Sequence, residues 1–202
     1  SVFDEFTLTV TNVNEAPTLG APLVDQTVNE DAAVIFTIPE GTFADVDQVH
    51  GDVLLYGASL AEGGSLPAWL TFDAATRTFS GTPDNGDVGA LDMMVTATDL
   101  GGLRVTGRLA LTVENVNDAP TVVTPIADQT AAEDAPFSWT IPADTFVDDD
   151  ARHGDLLSYQ ATLADGRPLP AWLSFNSTTR TFSGIPGAGD AGALQIIVTA
   201  TD

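Results

Sequence analysis

The sequence has no cysteine, no lysine and no long apolar run. Without cysteine it forms neither disulfides nor cysteine–zinc sites. Without about 18 consecutive apolar residues, no helix is expected to span a bilayer. Cationic charge is scarce, since six arginines face 29 acidic residues and the net charge is −23. Nucleic acids and anionic membranes both require cationic patches, so we expect neither nucleic-acid binding nor membrane insertion.

What the sequence does contain is an internal repeat with a period of 103 residues. Leu-Pro-Ala-Trp-Leu occurs around Trp69 and again around Trp172, and the same offset relates Asp99 to Asp202 without any insertion. A period near 100 residues is too long for a solenoid unit and fits a whole β-sandwich domain. Hydrophobic residues make up 44% of the chain, which is enough for a core in each of two such modules.

The register of the repeat predicts the domain boundaries. Residues 1–10 align with residues 104–113, the last strand-like segment of the first copy. We therefore predict that residues 1–13 are the last strand of a preceding module plus a linker. Residues 14–117 then form module 1, and residues 118–202 form module 2 without its own copy of the last strand.

Alternation of apolar and polar side chains predicts short, half-buried strands throughout. Tyr159, Ala161 and Leu163 alternate with Gln160 and Thr162, for example. About seven such segments occur in each module, separated by glycine and proline, and no window has a convincing helical period. The predicted fold is all-β, with two tandem seven-stranded β-sandwiches of which the second lacks its last strand.

The carboxylates concentrate in loops at the predicted module ends. Calcium takes six to eight oxygen ligands from carboxylates, amides and carbonyls, and closely spaced acidic residues repel one another without a cation. This grouping therefore favours calcium binding. The groups are Asp45 and Asp47 with Asp148–Asp150; Glu30 and Asp31 with Glu133 and Asp134; Asp84 and Asp87 with Asp190; Asp99 with Asp202; and Asn12–Pro17 with Asn115–Pro120.

Several of these segments resemble cadherin repeats. Asn-Val-Asn-Asp-Ala-Pro at 115–120 resembles the Asp-x-Asn-Asp-Asn linker between cadherin domains, and Ala97-Thr98-Asp99 resembles the cadherin Ala-x-Asp. Asp45-x-Asp47 followed by Tyr56 resembles another cadherin segment. The Pro-Ala-Trp-Leu and Thr-Phe-Ser-Gly-Thr-Pro motifs resemble the dystroglycan-type cadherin-like domain of large bacterial surface proteins. The resemblance implies Greek-key, cadherin/immunoglobulin-like sandwiches.

The resemblance also implies a calcium joint between the modules. The half-joints at the two outer ends are expected to bind calcium weakly or not at all. The central ligands implied are Glu30, Asp87, Asn115, Asn117, Asp118, Asp148, Asp150 and Asp202, with the backbone carbonyl of His153; the outer sets are Asn12, Asn14, Glu15, Asp45, Asp47 and Asp99 at one end and Glu133 and Asp190 at the other.

Other interpretations of the same residues remain open at this point. The acidic groups also fit solvated turns made by aspartate and asparagine. His50 and His153 each precede a glycine, which favours a turn over catalysis, and core packing is the default for the three tryptophans. Paired carboxylates are compatible with a glycosidase on residue type alone. Because these acids occur in both copies at the predicted joints, we expect a protein that is not an enzyme.

The sequence thus predicts a calcium-stiffened, extracellular or cell-surface segment of a bacterial adhesin. The alternative is a module that binds a polysaccharide or protein ligand in calcium-dependent adhesion. The expected partners are neighbouring repeats of the same protein. Residues 1–10 also match the strand that module 2 lacks, which suggests head-to-tail self-association between copies.

Overall fold

The computed structural model describes all 202 residues and contains sixteen β-strands, three short 3-10 helices and no α-helix. It divides into two compact units, Ser1–Val116 and Asn117–Asp202. The predicted all-β fold with tandem β-sandwiches is confirmed. The assignment of residues 1–13 to a preceding module stays a prediction. No helix is long and apolar enough to cross a membrane.

Unit 1 is a β-sandwich of a four-stranded and a three-stranded sheet, which gives the seven predicted strands, with an additional two-stranded ribbon. The larger sheet has the order β2-β9-β8-β5, the smaller has β3-β7-β6, and β1 pairs with β4. Residues 1–17 form no strand. The strands are β1 (Thr18–Leu19), β2 (Gln26–Asn29), β3 (Val34–Thr37), β4 (Phe43–Ala44), β5 (Leu55–Leu60), β6 (Leu70–Asp73), β7 (Thr78–Gly81), β8 (Gly89–Thr98) and β9 (Arg104–Glu114).

Unit 2 repeats this arrangement, but the counterpart of the larger sheet has two strands instead of four. Its three-stranded sheet has the order β11-β15-β14, whereas β16 pairs with β13 alone and β10 pairs with β12. The strands are β10 (Thr121–Val122), β11 (Phe137–Thr140), β12 (Phe146–Val147), β13 (Ser158–Leu163), β14 (Leu173–Asn176), β15 (Thr181–Gly184) and β16 (Ile196–Thr201).

The core of unit 1 lies between its two sheets. Phe79, Met93 and Val95 are fully buried, and the Phe36 ring stacks on Phe79 with 4.8 Å between centroids. Burying one such side chain contributes about 1.5–3 kcal/mol. Alternation places the apolar side chains of β8 and β9 inward at every second residue, as the sequence pattern indicates.

The three tryptophans pack against the cores, as expected. Trp69 lies against the core of unit 1, and Trp139 and Trp172 lie against that of unit 2. The backbone of Trp69 passes so close to β7 that a Cβ at Gly81 would overlap its carbonyl oxygen, and Gly184 meets Trp172 in the same way. Only glycine fits this close approach, which explains why both copies have glycine at this position.

Candidate metal centre

Each unit carries a short 3-10 helix that is capped by an aspartate. In unit 1 the helix runs from Val46 to His50, and the Asp45 carboxylate accepts the backbone N–H of Asp47 at 2.8 Å. Gly51 ends the helix in the left-handed region, with φ of 97°. Aspartate is a favoured N-cap and glycine a favoured C-cap, so the local sequence dictates this turn. His50 is the last residue of the helix, consistent with the expected turn role.

Unit 2 contains the same turn 103 residues later. The helix runs from Asp149 to His153, and the Asp148 carboxylate accepts the backbone N–H of Asp150 at 2.9 Å. Gly154 ends it with φ of 105°. The repeat in sequence is therefore a repeat in local geometry.

The turn of unit 1 assembles three carboxylates from distant parts of the chain. Asp45 caps the helix, Asp52 follows it, and Asp99 lies just beyond the end of β8. One carboxylate oxygen from each lies within 4.8 Å of the others. Asp45 is 8% exposed and Asp99 is 2% exposed, so this cluster is largely withdrawn from water.

Hydrogen bonds satisfy only part of this cluster. Asp99 accepts the backbone N–H of Leu103 at 2.8 Å and the side-chain amide of Asn14 at 3.0 Å. Asp52 accepts the backbone N–H of Leu100 at 3.0 Å through its Oδ1. The Oδ2 atoms of Asp45 and Asp52 are buried without a hydrogen-bond partner.

No arginine neutralises these buried charges, since the two ion pairs of the chain are Arg108–Asp92 and Arg167–Asp165. Burying an unpaired carboxylate is costly, and several of them together repel one another. A cation bound among the three oxygens would remove both penalties.

Unit 2 contains the equivalent cluster. Asp148, Asp155 and Asp202 each place one carboxylate oxygen within 4.8 Å of the others. Asp148 is 8% exposed, and its Oδ2 is again buried without a hydrogen-bond partner. Asp202 is exposed and accepts the side-chain amide of Asn117 at 2.6 Å. The two clusters match residue for residue at the repeat distance, although that of unit 2 is more open to solvent.

The second aspartate of each Asp-x-Asp pair holds a segment that precedes the first strand of its unit. Asp47 is 3% exposed and accepts the side-chain amide of Asn12 at 2.8 Å and the backbone N–H of Glu15 at 2.7 Å. In unit 2, Asp150 is 1% exposed and accepts the backbone N–H of Asp118 at 2.5 Å. Both oxygens of Asp47 are thus engaged, whereas Asp150 keeps a buried Oδ1 without a hydrogen-bond partner.

These contacts shift two pKa values in opposite directions. The backbone N–H of Glu15, followed by the Asn12 amide, lowers the pKa of Asp47 below its ordinary value of 3.8. Desolvation, followed by repulsion from Asp47, raises the pKa of Glu15 above its ordinary value of 4.5. The segment 12–15 therefore rests against an ionised Asp47.

Glu30 occupies a separate position in unit 1. It is 2% exposed, its Oε1 accepts the backbone N–H of Val116 at 2.8 Å, and its Oε2 is buried without a hydrogen-bond partner. Asp87, inferred to act with it, accepts the backbone N–H of Asp84 within its own turn at 3.0 Å. Asn115 is exposed. Neither three-aspartate cluster includes Glu30 or Asp87.

The structure therefore groups the predicted ligands in part. It brings Asp45 together with Asp99 in unit 1, and Asp148 together with Asp202 in unit 2. Asp47 and Asp150 accept hydrogen bonds beside these clusters from segments that precede the first strand of each unit. The full joint set, with Glu30, Asp87, Asn115 and the His153 carbonyl, draws on both units, and its assembly stays a prediction.

Sequence reasoning missed Asp52 and Asp155 as candidate ligands. Both lie directly after the glycine that ends the 3-10 helix, and they are related by the repeat distance. Their backbone N–H groups donate to the carbonyls of Asp47 and Asp150, which directs them back over the turn. Their recurrence at the same offset as the other aspartates was the available signal.

Comparison with known proteins places both units in one family. The "Putative Ig domain" (He_PIG) family profile matches residues 16–114 and again residues 119–202. The serine-rich adhesin for platelets of Staphylococcus aureus is 32% identical over 137 residues, which is 68% of this chain and 5% of that protein. In strain MRSA252 the same match covers 9% of the relative. The chain thus spans a small fraction of the length of these relatives.

Among solved structures, mouse cadherin-23 EC22-24 superposes with a TM-score of 0.57 at 20% identity, covering 93% of this chain and 59% of that one. The protocadherin gammaB7 EC3-6 structure gives 0.52 at 18% identity, covering 91% and 48%. These likenesses concern the fold, and they support its cadherin-like character. The dystroglycan-type assignment stays a prediction.

The predicted extracellular or cell-surface location is confirmed by the match to an adhesin. Since the family profile matches both units over nearly their whole length, the chain belongs to the Putative Ig domain family.

Proposed function

We propose that this chain is a calcium-binding repeat segment that stiffens and extends a bacterial adhesin or other surface protein. The observation that carries the proposal is the pair of matching three-aspartate clusters. Each contains a carboxylate oxygen, Asp45 Oδ2 or Asp148 Oδ2, that is buried without a hydrogen-bond partner. Unpaired buried charges of this kind persist when a ligand compensates them.

The ligand chemistry favours calcium over other metals. The clustered donors are all carboxylate oxygens, with no cysteine or histidine among them, whereas zinc prefers nitrogen and sulfur. Calcium accepts six to eight oxygens in flexible geometry, and water and backbone carbonyls complete a three-carboxylate set. Magnesium requires near-ideal octahedral geometry and retains its waters.

The mechanical consequence follows from where the ligands lie. In unit 1 they come from the helix cap, the turn after the helix and the end of β8, so one ion would connect three segments. Asn14 binds Asp99, and residues 12 and 15 bind Asp47, so the linker is held at the same end of the unit. Calcium would therefore restrict the linker as well as the loops. Glu30, Asp87 and Asn115 are proposed as further calcium ligands.

Calcium-dependent thermal unfolding tests the proposal. Extracellular calcium modules have Kd values of about 10⁻⁴–10⁻³ M. A Kd of about 1 mM would give about 1.4 kcal/mol of stabilisation at about 10 mM calcium. Combining Asp45→Asn with Asp52→Asn should abolish the part of the shift that belongs to unit 1, while Glu62→Gln in an exposed loop should retain it. Equal melting temperatures of the wild type in calcium and in chelator would refute the calcium assignment.

A second candidate function is binding of a polysaccharide or protein ligand. An open cavity of about 570 Å³ in unit 2, lined by Gln160, Thr162 and Phe175 among others, favours it. The kinship with a platelet adhesin adds support, although the matched region is a small part of that protein. Glycan-array binding that Gln160→Ala removes would establish this role. If the chain binds no glycan on the array but its melting temperature depends on calcium, only the calcium-binding spacer role is supported.

A further inference from the structure

In unit 2, an open cavity of about 570 Å³ lies against two strands that each end a sheet, β13 and β14. Its volume is within the range of about 300–1,000 Å³ that small-molecule sites occupy. Each of these strands has a single partner, β16 for β13 and β15 for β14. Their counterparts in unit 1, β5 and β6, also end their sheets. The opening between these edges therefore belongs to the fold of either unit.

Two aromatic rings form fixed walls of this cavity. Phe175 packs on Phe182 with 4.6 Å between ring centroids, and Tyr159 meets Phe146 edge to face at 5.9 Å. Both cavity rings are half-buried, so each presents part of its apolar surface while the core holds the rest. Walls that are already in place lower the ordering cost of binding.

The backbone of β13 adds hydrogen-bonding groups at the same edge. Just beyond this strand, the N–H of Ala164 donates to the carbonyl of Gln195 on the β16 side at 2.8 Å. Alternate residues of an antiparallel pair face the partner strand, so the N–H and C=O groups of Tyr159 and Ala161 face away from β16. A ligand at this edge therefore meets two backbone donors and two backbone acceptors.

The polar side chains that line the cavity carry no charge. They belong to Gln160, Thr162 and Ser177, and none of the three makes a hydrogen bond in the structure. The chain has 29 acidic residues and 6 arginines, yet none of them lines the cavity. An acidic ligand would meet a net charge of −23 and no arginine to pair with. A neutral ligand that combines hydroxyl groups with an apolar face fits these walls.

Unit 1 shares the apolar walls but lacks two of the three polar side chains. Both aromatic rings recur 103 residues earlier as the same residue types. By contrast, the counterpart of Gln160 is Gly57, and the counterpart of Ser177 is Ala74. The two copies therefore differ in the groups that would hydrogen-bond a ligand, which assigns the site to unit 2.

We propose that this cavity binds a neutral saccharide. A sugar ring would lie against the two aromatic side chains, and its hydroxyl groups would bond to Gln160, Ser177 and the edge of β13. The proposal rests on the candidate ligand-binding function and names its site and its class of ligand. No residue of the cluster formed by Asp148, Asp155 and Asp202 lines the cavity, so binding should not require calcium.

An array of neutral and acidic oligosaccharides tests the proposal. The 202-residue chain has no lysine, so biotin can be attached at its terminal amino group alone and the chain displayed on streptavidin. This multivalent display makes weak binding measurable. Neutral glycans should bind, and their sialylated or sulfated counterparts should bind about tenfold more weakly or not at all. Binding should be equal in calcium and in chelator.

Substitutions taken from the other copy provide matched variants. Gln160→Gly with Ser177→Ala installs the residues of unit 1 and should weaken binding about tenfold or more. Ser174→Thr also installs a unit 1 residue, on β14 but outside the cavity, and should leave binding within about twofold. Gly57→Gln with Ala74→Ser should create a second site per chain, because a Cβ at Gly57 meets open space.

Three results would overturn the proposal. They are equal binding of acidic and neutral glycans, wild-type binding by the double variant of unit 2, and no binding to any glycan. After either of the first two, the candidate ligand-binding function would stand with a different site or class of ligand. The third would remove that function as well. None of the three bears on calcium binding, which the melting temperatures in calcium and in chelator test separately.

Discussion

At the scale of single residues, burial distinguishes Asp45, Asp99 and Asp148 of the clusters from the exposed, ion-paired acids of this chain. Asp92 and Asp165 are exposed and each pairs with an arginine, an arrangement that contributes little to stability. Asp45 and Asp148 are buried, cap a helix with one oxygen and keep the other without a hydrogen-bond partner. Without a cation, the buried charge of these carboxylates destabilises the fold. With a cation bound, the same carboxylates serve as its ligands.

The sign of the effect of Asp45→Asn should therefore depend on calcium. In chelator the variant loses a buried, uncompensated charge but keeps an oxygen that can cap the helix, so the free energy of unfolding should rise by about 1 kcal/mol. In saturating calcium it should fall, because a ligand is lost. Denaturant unfolding in both conditions measures the two differences. A variant that is less stable than wild type by the same amount in both would show that Asp45 serves only as a cap.

At the scale of elements, hydrogen bonds connect residues 12–15 to the 3-10 helix of unit 1. Asp47 accepts from both Asn12 and Glu15, and hydrogen bonds to the ionised form lower its pKa. A lowered folded pKa contributes stability that is present above the unfolded value and is lost as the pH falls through the folded value. The raised pKa of Glu15 acts in the opposite direction, since its contribution is present at low pH and is lost as the pH rises through its folded pKa.

We expect Asp47→Asn to reduce the loss of stability of unit 1 on acidification. The difference in free energy of unfolding between wild type and variant should be largest near neutral pH. It should shrink as the pH falls through the folded pKa of Asp47, which lies below 3.8. Asp45 and His50 also act on this pair and are unchanged in both proteins. Denaturant unfolding across the acidic range measures the difference, with Glu62→Gln as the control. A difference that is constant with pH would contradict the role of Asp47.

At the scale of the whole molecule, charge and repetition act together. A net charge of −23 on 202 residues favours solubility but opposes compact states through self-repulsion. Calcium would lower this repulsion where it is most concentrated, at the two three-aspartate clusters. Two units of one family each carry a cluster that accepts a hydrogen bond from a segment preceding the first strand of that unit.

Small-angle scattering in calcium and in chelator tests this role of the array. We expect the maximum dimension to be larger and the distribution of distances better defined in calcium, because bound ions would restrict the linker. Magnesium at the same concentration serves as the control for ionic strength, and it should have a smaller effect. An unchanged maximum dimension would contradict the stiffening role while leaving calcium binding itself to the unfolding experiment.

The sequence determined the repeat and the strands, because these depend on local patterns and on a register that can be read directly. Alternation fixes which side chains face inward, and the offset of 103 residues shows which segments of the two units correspond. It also indicated that aspartates at the module ends act together. Composition alone explains why neither zinc–thiolate chemistry nor nucleic-acid binding was expected.

Only the tertiary structure decided which acids share a site. Asp52 and Asp99 are far apart in the chain and meet because the turn after the 3-10 helix lies beside the end of β8, where Leu100 donates to Asp52. No local pattern reports that contact. Likewise, Asp45 and Asp47 look alike in sequence but differ in the folded chain. Asp45 keeps a buried oxygen without a hydrogen-bond partner, whereas both oxygens of Asp47 accept hydrogen bonds from residues 12 and 15. Burial and hydrogen-bond satisfaction are properties of the folded chain, and here they separate a candidate ligand from an anchor.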